Sequence, residues 1–200
     1  RIEDVTRVTK DIAEALDYVH SKGYIHRDVK PENILFRDQH FAVLSDFGIA
    51  SIGGKRNSVT DHGTVIGTPQ YMSPEQATGK ALDGRSDLYS LGVIFFQMLS
   101  GDVPYRADSL IDICERHIQD PIPKLPSHLA VFQNLVEKML AKQTRDRFQS
   151  GREIRKALNE IPINNVVPNT VLKTEAVATV EIQALGTPTP MIVREGLVDR

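Results

Sequence analysis

The sequence predicts a mainly α-helical fold that contains one short β-hairpin. Apolar residues recur with a helical period in four separate segments. A further segment, 87–99, is apolar nearly all round, which is typical of a helix that is buried on every side. Two short apolar runs, 34–36 and 42–44, flank a polar turn at 37–40 and predict the hairpin. With 200 residues and 40% apolar content, the chain can form a sizeable core.

The first helix brings the chain to a polar loop that begins near Ile25. Its apolar residues lie on one face, and Gly23 provides a stop signal. The helix predicted at 87–99 forms the core pillar, and Gly101 ends it. The apolar positions of the first helix are Val5, Val8, Ile12, Ala15, Leu16 and Val19.

Three more helices are predicted in the second half. The apolar spacing in 110–118 indicates a less buried helix, and the spacing in 129–140 indicates an amphipathic one. Ser150 with Glu153 three residues later matches a capping box, which predicts a helix start there. Pro162 ends that last helix.

The packing signals divide the chain into two parts. Residues 1–161 form the predicted domain, whereas 162–200 contain four prolines and no consistent period, so we expect a poorly ordered linker or tail. Within the domain, 49–66 are rich in Gly, Ser, Thr and charge, which predicts a mobile surface loop. The chain starts at Arg1 within an amphipathic pattern, so we expect it to be a fragment of a longer protein.

Charge and composition exclude several classes of function. Lys and Arg number 24 against 26 Asp and Glu, a balance that argues against nucleic-acid partners. The single cysteine, Cys114, cannot form an internal disulfide, and the six histidines show no zinc-ligand spacing. Since no apolar run reaches 18 residues, we expect no membrane contact from this segment and a cytoplasmic location, although a longer parent could be anchored elsewhere.

Three motifs follow one another at spacings that suit phosphoryl transfer. The first is His26-Arg27-Asp28, with Lys30 two residues and Asn33 five residues after the aspartate. The second is Asp46-Phe47-Gly48, and the third runs from Gly67 to Glu75. Such loops can place a proton acceptor, a cation and metal ligands around one transferring phosphoryl group.

These motifs resemble the large lobe of a eukaryotic-type (Hanks-type) serine/threonine protein kinase. The sequence of residues 67–76 is most similar to that of bacterial members, and the resemblance covers about residues 1–160. It implies a helical bundle with a short β-hairpin that carries the catalytic and metal-binding loops. It also implies ATP-dependent transfer of the γ-phosphate to Ser or Thr hydroxyls of protein substrates.

The resemblance assigns the reacting groups. Asp28 is implied to orient the substrate hydroxyl, with Lys30 against the transferring phosphate and Thr68 bonded towards both. Asn33 and Asp46 are implied to hold Mg²⁺, with Mn²⁺ as an alternative ion. Lys30 and Thr68 favour the serine/threonine branch over the tyrosine kinases. The alternative is that the two aspartates only cap local turns.

The resemblance also implies positions that bind the nucleotide and positions that regulate the activity of the kinase. Leu35 would lie under the adenine ring of ATP, although an ordinary strand core explains this residue almost as well. Arg27 would pair with a phosphate on the 49–66 loop. The preferred phosphorylation site is Thr60, followed by Ser58 and Thr64.

Five matching residues are implied to serve structure. Asp87 would accept backbone hydrogen bonds from the His26–Arg27 segment, and Glu75 would pair with Arg147. His26 and Phe47 would belong to a hydrophobic column that aligns the two lobes of such a kinase.

The sequence departs from the family pattern in one large respect. It has no glycine-rich phosphate loop, no strand lysine and no hinge, which are parts of the small N-terminal lobe. We therefore expect that lobe to act as a partner in cis in the intact parent, and the fragment alone to be inactive. Two other readings stay open: a pseudokinase that serves as a scaffold or binding module, and a small-molecule phosphotransferase.

Overall fold

The computed structural model describes residues 1–37, 41–46 and 69–162. These residues lie in one compact unit, 1–168, and they form a mainly helical fold with one hairpin, as the sequence predicts. None of the helices described combines the length and the apolar character that crossing a bilayer requires. The elements in chain order are α1 (Ile2–Ser21), β1 (Ile34–Phe36), β2 (Ala42–Leu44), α2 (Pro74–Ala77), α3 (Gly84–Ser100), α4 (Leu110–Gln119), α5 (Gln133–Met139) and α6 (Gly151–Glu160). Short 3₁₀ helices lie at Pro31–Asn33, Pro69–Tyr71, Ser127–Phe132 and Thr144–Asp146.

Helix α3 is the pillar of the core. Its residues 86–96 are all buried, and it packs against α1 and α5. A Cβ atom at Gly92 would lie 2.7 Å from the Cβ of Met139, so the glycine permits the close approach of α3 to α5. The helix begins three residues before the predicted start, because the side chain of Asp83 accepts a hydrogen bond from the Arg85 amide and caps it. It ends at Gly101, which adopts a left-handed conformation with φ 83°.

Helix α1 packs against α3 and α6 through its apolar face. The approach to α6 is close, since a Cβ atom at Gly151 would lie 2.0 Å from the carbonyl oxygen of Ala13. The Gly151 amide donates to Asp17 Oδ1 at 2.7 Å, which places a carboxylate at the N-terminus of α6. The predicted capping box is only half formed, because Glu153 accepts from the Gln149 amide and not from the Ser150 amide.

The hairpin pairs its strands antiparallel, with Ile34 opposite Leu44. Ala42 and Leu44 are buried against the core, and the Ala42 amide donates to Asp11 Oδ2 on α1 at 3.1 Å. The opposite face exposes Leu35 and Val43, with exposed fractions of 42% and 38%. Phe36, which pairs with Ala42, is 46% exposed at the end of its strand. Most of the predicted turn, 38–40, lies outside the described residues.

The helix predicted over 129–140 is divided in the structure. Residues 127–132 are 3₁₀, and the α-helix starts only at Gln133. The buried residues Leu129, Phe132 and Leu135 are three apart, which matches the three residues per turn of a 3₁₀ helix. The apolar positions were therefore predicted correctly, whereas the helix type was wrong for residues 129–132.

Helix α2 is joined to the last third of the domain by a buried ion pair. Arg147 donates from Nη1 to Glu75 Oε1 at 2.7 Å and from Nη2 to Oε2 at 2.8 Å. The Ser86 hydroxyl donates to Oε1 at 2.6 Å. Burial raises the pKa of Glu75, but the bonds from Arg147 and Ser86 outweigh it, so the pKa lies below its usual value. The carboxylate is thus ionised and fully partnered near neutral pH.

We predict that Arg147→Met destabilises the fold by about 3–5 kcal/mol, because it leaves the charge of Glu75 buried without its partner. The free energy of unfolding in urea measures this. Arg145→Met is the matched control, since the Arg145 side chain is 82% exposed, and it should change stability by less than about 1 kcal/mol. Equal effects of the two substitutions would contradict the prediction.

Candidate active site

The loop between α1 and β1 is held by the carboxylate of Asp87 on α3. This carboxylate, in a residue only 1% exposed, accepts from the His26 amide at 2.9 Å and from the Arg27 amide at 2.8 Å. It also contacts His20 Nε2 at 2.7 Å. Arg27 has φ 68°, a left-handed conformation that is unfavourable for a residue with a side chain. The bonds to Asp87 therefore fix a strained turn directly before Asp28.

The ring of His26 connects this loop to the end of β2. His26 is fully buried, and its Nε2 lies 2.9 Å from the carbonyl oxygen of Ser45. Since a carbonyl only accepts, Nε2 carries the proton and Nδ1 is left to accept from the Asp28 amide at 3.4 Å. One side chain thus sets the distance between the Asp28 backbone and the segment that leads into Asp46.

The carboxylate of Asp28 is partnered on one oxygen. Lys30 Nζ lies 2.8 Å from Oδ2, and Asn33 Nδ2 donates to the same oxygen at 3.1 Å and to the Asp28 carbonyl at 2.7 Å. Within the described part of the chain, Oδ1 has no hydrogen-bond partner, and the side chain is 39% exposed. The arrangement orients the carboxylate and leaves one of its oxygens accessible to an incoming hydroxyl.

Asn33 and Asp46 lie close together through Ser45. The Ser45 amide donates to the Asn33 carbonyl at 2.8 Å, and its hydroxyl lies 3.4 Å from Asp46 Oδ2. Asp46, like Arg27, has a left-handed backbone, with φ 53°. Among the described residues, the Asn33 side-chain amide forms its hydrogen bonds through its nitrogen, which leaves the amide oxygen for a cation.

This donor set fits magnesium. A carboxylate and an amide oxygen are hard ligands, and Mg²⁺ completes its shell with water and phosphate oxygens. No group of three or more His, Cys, Asp or Glu suited to a metal occurs in residues 1–37, 41–46 and 69–162. A cation here would therefore depend on Asn33, Asp46 and the oxygens of a bound nucleotide.

The remaining site residues of the sequence analysis fall into two groups. Leu35 lies on the exposed face of the hairpin, on the strand that follows Asn33. The others, Phe47, Ser58, Thr60, Thr64 and Thr68, lie outside the described residues.

Sequence reasoning missed three residues that position the site. Ser45 joins Asn33 to Asp46, His20 contacts Asp87, and Gln76 donates from Nε2 to the Arg27 carbonyl at 2.8 Å. Gln76 also forms a complete capping box with Ser73 at the start of α2. The Ser-x-x-Gln spacing was visible in the sequence, but its contact with Arg27 was not, because the two residues are 49 positions apart.

A cleft of about 690 Å³ adjoins this loop. Glu32, which lies between Lys30 and Asn33, forms part of its wall. The 3₁₀ turn at Pro69–Tyr71 contributes Gln70 and Tyr71, and α3 contributes Gln97. The segment 103–108 and helix α4 complete the lining. The cleft therefore adjoins the short turn that carries Asn33.

Comparison with known proteins finds a matching family model and several relatives. A family model described as the protein kinase domain matches residues 1–160. The serine/threonine-protein kinase PknB of Mycobacterium tuberculosis is 43% identical over 153 residues, which is 74% of this chain and 24% of that protein. PknB of Mycobacterium leprae is 40% identical over 157 residues, 76% of this chain and 25% of the relative.

A more distant relative gives the same result. A probable serine/threonine-protein kinase of Clostridium acetobutylicum is 36% identical over 159 residues, 78% of this chain and 24% of that protein. The chain thus spans about a quarter of the length of the curated relatives it matches. Since the family match covers 160 of its 200 residues, the chain belongs to the protein kinase domain family.

Proposed function

We propose that this chain is the large lobe of a serine/threonine protein kinase, which transfers the γ-phosphate of ATP to Ser or Thr hydroxyls of proteins. The observation that supports this best is a connected group of hydrogen bonds. Lys30 and Asn33 bond to the Asp28 carboxylate, and the Ser45 hydroxyl contacts both the Asn33 carbonyl and the Asp46 carboxylate. Phosphoryl transfer needs positioning and charge neutralisation more than covalent chemistry from the protein, and these side chains can supply both.

Each side chain has a role in this proposal. Asp28 orients the acceptor hydroxyl with Oδ1 while Lys30 and Asn33 hold Oδ2 in place. Lys30, 22% exposed, reaches from the Asp28 carboxylate towards the transferring phosphate. Asn33 and Asp46 hold Mg²⁺, which, when bound, neutralises charge on the phosphate oxygens.

The acceptor protein occupies the cleft of Glu32, Gln70 and Tyr71 in this proposal. Glu32 in the cleft wall belongs to the same turn as Asn33, whose amide bonds to Asp28, so we infer that a peptide lying in the cleft reaches Asp28. The serine/threonine class is supported by Lys30, by Thr68 in the sequence, and by the names of the relatives, which are called serine/threonine-protein kinases.

We predict that Asp28→Asn in the full-length kinase lowers kcat by about 10²- to 10⁴-fold, because the amide cannot accept the hydroxyl proton. Steady-state phosphorylation of a protein acceptor measures this, with the KM for ATP staying within about threefold of wild type because Asp28 is not a nucleotide ligand in this proposal. Asp146→Asn is the control, because that side chain is 60% exposed and belongs to a distant turn. An active Asp28→Asn enzyme would refute the assignment, and an inactive wild type would favour the scaffold reading.

The second proposal concerns the small lobe, which we place in the same longer protein. It would cover the exposed apolar face of the hairpin, including Leu35, and clamp the nucleotide from above. Without that cover, one side of the site is open to water, where electrostatic interactions are weak.

We accordingly predict that the isolated 200-residue chain binds ATP–Mg²⁺ only weakly, with a Kd on the order of 1 mM or above, and transfers no phosphate. Titration calorimetry of the chain, with the full-length kinase as the positive control, measures the affinity. A micromolar Kd for the isolated chain would overturn this proposal without affecting the assignment of Asp28.

The third proposal is control by phosphorylation of Thr60. It is supported by Arg27, whose backbone is fixed beside Asp28 by Asp87 and Gln76, since an arginine there can pair with a phosphate. Thr60→Ala in the full-length kinase should lower activity several-fold, whereas Ser58→Ala should have a smaller effect. Peptide mass mapping of active enzyme that finds Thr60 unmodified would contradict this.

A further inference from the structure

Helix α4 buries a histidine that the proposed phosphoryl transfer does not use. His117 is fully buried, although α4 as a whole is the least buried long helix described and exposes Leu110, Ile111 and Ile118. Both ring nitrogens of His117 have partners. Nδ1 lies 2.8 Å from the hydroxyl of Tyr89 on α3, and Nε2 lies 3.1 Å from the carbonyl oxygen of Gln70.

These partners fix the tautomer of the ring. The Gln70 carbonyl can only accept, so Nε2 must carry a proton and donate it. Nδ1 is then an acceptor, and the Tyr89 hydroxyl donates to it. Burial raises the pKa of Tyr89 well above its usual value, so the phenol keeps its proton. The ring therefore acts as a neutral bridge from α3 to the Gln70 backbone.

The surroundings keep this bridge neutral. Burial, and then the positive charge of Lys142, lower the pKa of His117 to about 4. Lys142 donates to the carbonyls of Arg116 and His117 and to the hydroxyl of Tyr105, whose ring packs edge-on against the imidazole. The ammonium group of Lys142, which contacts carbonyl oxygens in the last turn of α4, stabilises the C-terminal end of that helix. The same positive charge disfavours protonation of the His117 ring.

Gln70 belongs to the turn that lines the acceptor cleft. Three side chains hold this turn: Ser90 donates to the Tyr71 carbonyl at 2.7 Å, Gln97 accepts from the Tyr71 hydroxyl at 2.9 Å, and His117 donates to Gln70. The first two act from α3. Among the hydrogen bonds of the described residues, His117 is the link from α4 to this wall of the cleft.

We propose that His117 is a positioning residue for the protein acceptor: through the Gln70 carbonyl it sets the wall of the cleft formed by Glu32, Gln70 and Tyr71. This inference rests on the proposed function, because it assumes that the acceptor lies in that cleft. It assigns His117 no part in nucleotide binding or in the phosphoryl transfer itself, since its partners Tyr89, Gln70 and Lys142 lie outside the loop of Asp28 and Asn33.

Two substitutions of His117 distinguish its hydrogen bond with Gln70 from its hydrogen bond with Tyr89. The amide of glutamine reaches about as far as Nε2, so His117→Gln can still donate to the Gln70 carbonyl. The shorter amide of asparagine lies near the position of Nδ1, so His117→Asn keeps a partner for Tyr89 and loses the bond to Gln70. The matched control is His128→Asn, because His128 is an exposed histidine.

In the full-length kinase we expect His117→Asn to raise the KM for a protein acceptor by about five- to tenfold, the effect of one lost hydrogen bond. The values of kcat and of the KM for ATP should stay within about twofold, and His117→Gln and His128→Asn should resemble wild type. An unchanged acceptor KM in His117→Asn, or an equal loss of kcat in both His117 variants, would overturn the inference.

A measurement without phosphoryl transfer separates this inference from the proposed function. Amide hydrogen exchange of residues 70–72 should be faster in His117→Asn than in His117→Gln, and the control should match wild type. If wild type phosphorylates no protein, the proposed function fails and exchange alone decides whether His117 holds the turn. Equal exchange in the two His117 variants would refute the bridge.

Discussion

The carboxylate of Asp87 is the interaction on which the site depends. It is nearly inaccessible to water, yet it accepts two backbone amides from the loop before Asp28 and contacts His20. Hydrogen bonds to a charged group contribute roughly 1.5–3 kcal/mol each, whereas a non-glycine residue in a left-handed conformation costs about 1–3 kcal/mol. The bonds can therefore offset the strain at Arg27, and the strained turn determines where the Asp28 side chain starts.

The structure separates the residues that hold the site from Asp28, the residue that we propose to act on the substrate hydroxyl. Asp87, His26 and Arg147 are buried and have several partners each, so their positions are determined by the core. Asp28 is 39% exposed and keeps one oxygen without a described partner. A reacting carboxylate must be accessible to its substrate and still be fixed in direction. Buried polar groups around it provide that direction, because leaving any of them unpaired would be costly.

The sequence predicted what depends on local periodicity. Helix α1, the hairpin, α3 with its glycine stop and α6 follow from residues that are near one another in the chain, and the motif spacing indicated the loop of Asp28 and Asn33. The sequence did not predict the roles of His117 and Gln76, because their contacts join residues far apart in the chain. His117 meets Gln70 across 47 positions, and Gln76 meets Arg27 across 49. A histidine on an amphipathic helix carries no local sign of the carbonyl that it will contact, so only the fold reveals its role.

Helix α3 explains why two distant parts of the site keep a constant separation. Near its start, Asp87 holds the loop of Asp28, and further along the same helix Ser90 and Gln97 hold the turn that lines the cleft. From Asp87 to Gln97 the helix rises by about 15 Å, at 1.5 Å per residue. Because residues 86–96 are buried and Gly92 lets α5 pack directly against them, this length cannot adapt to a substrate. In the proposed function, an acceptor bound in the cleft is therefore held relative to Asp28 by one rigid helix, and the turn at the far end of this helix positions the acceptor.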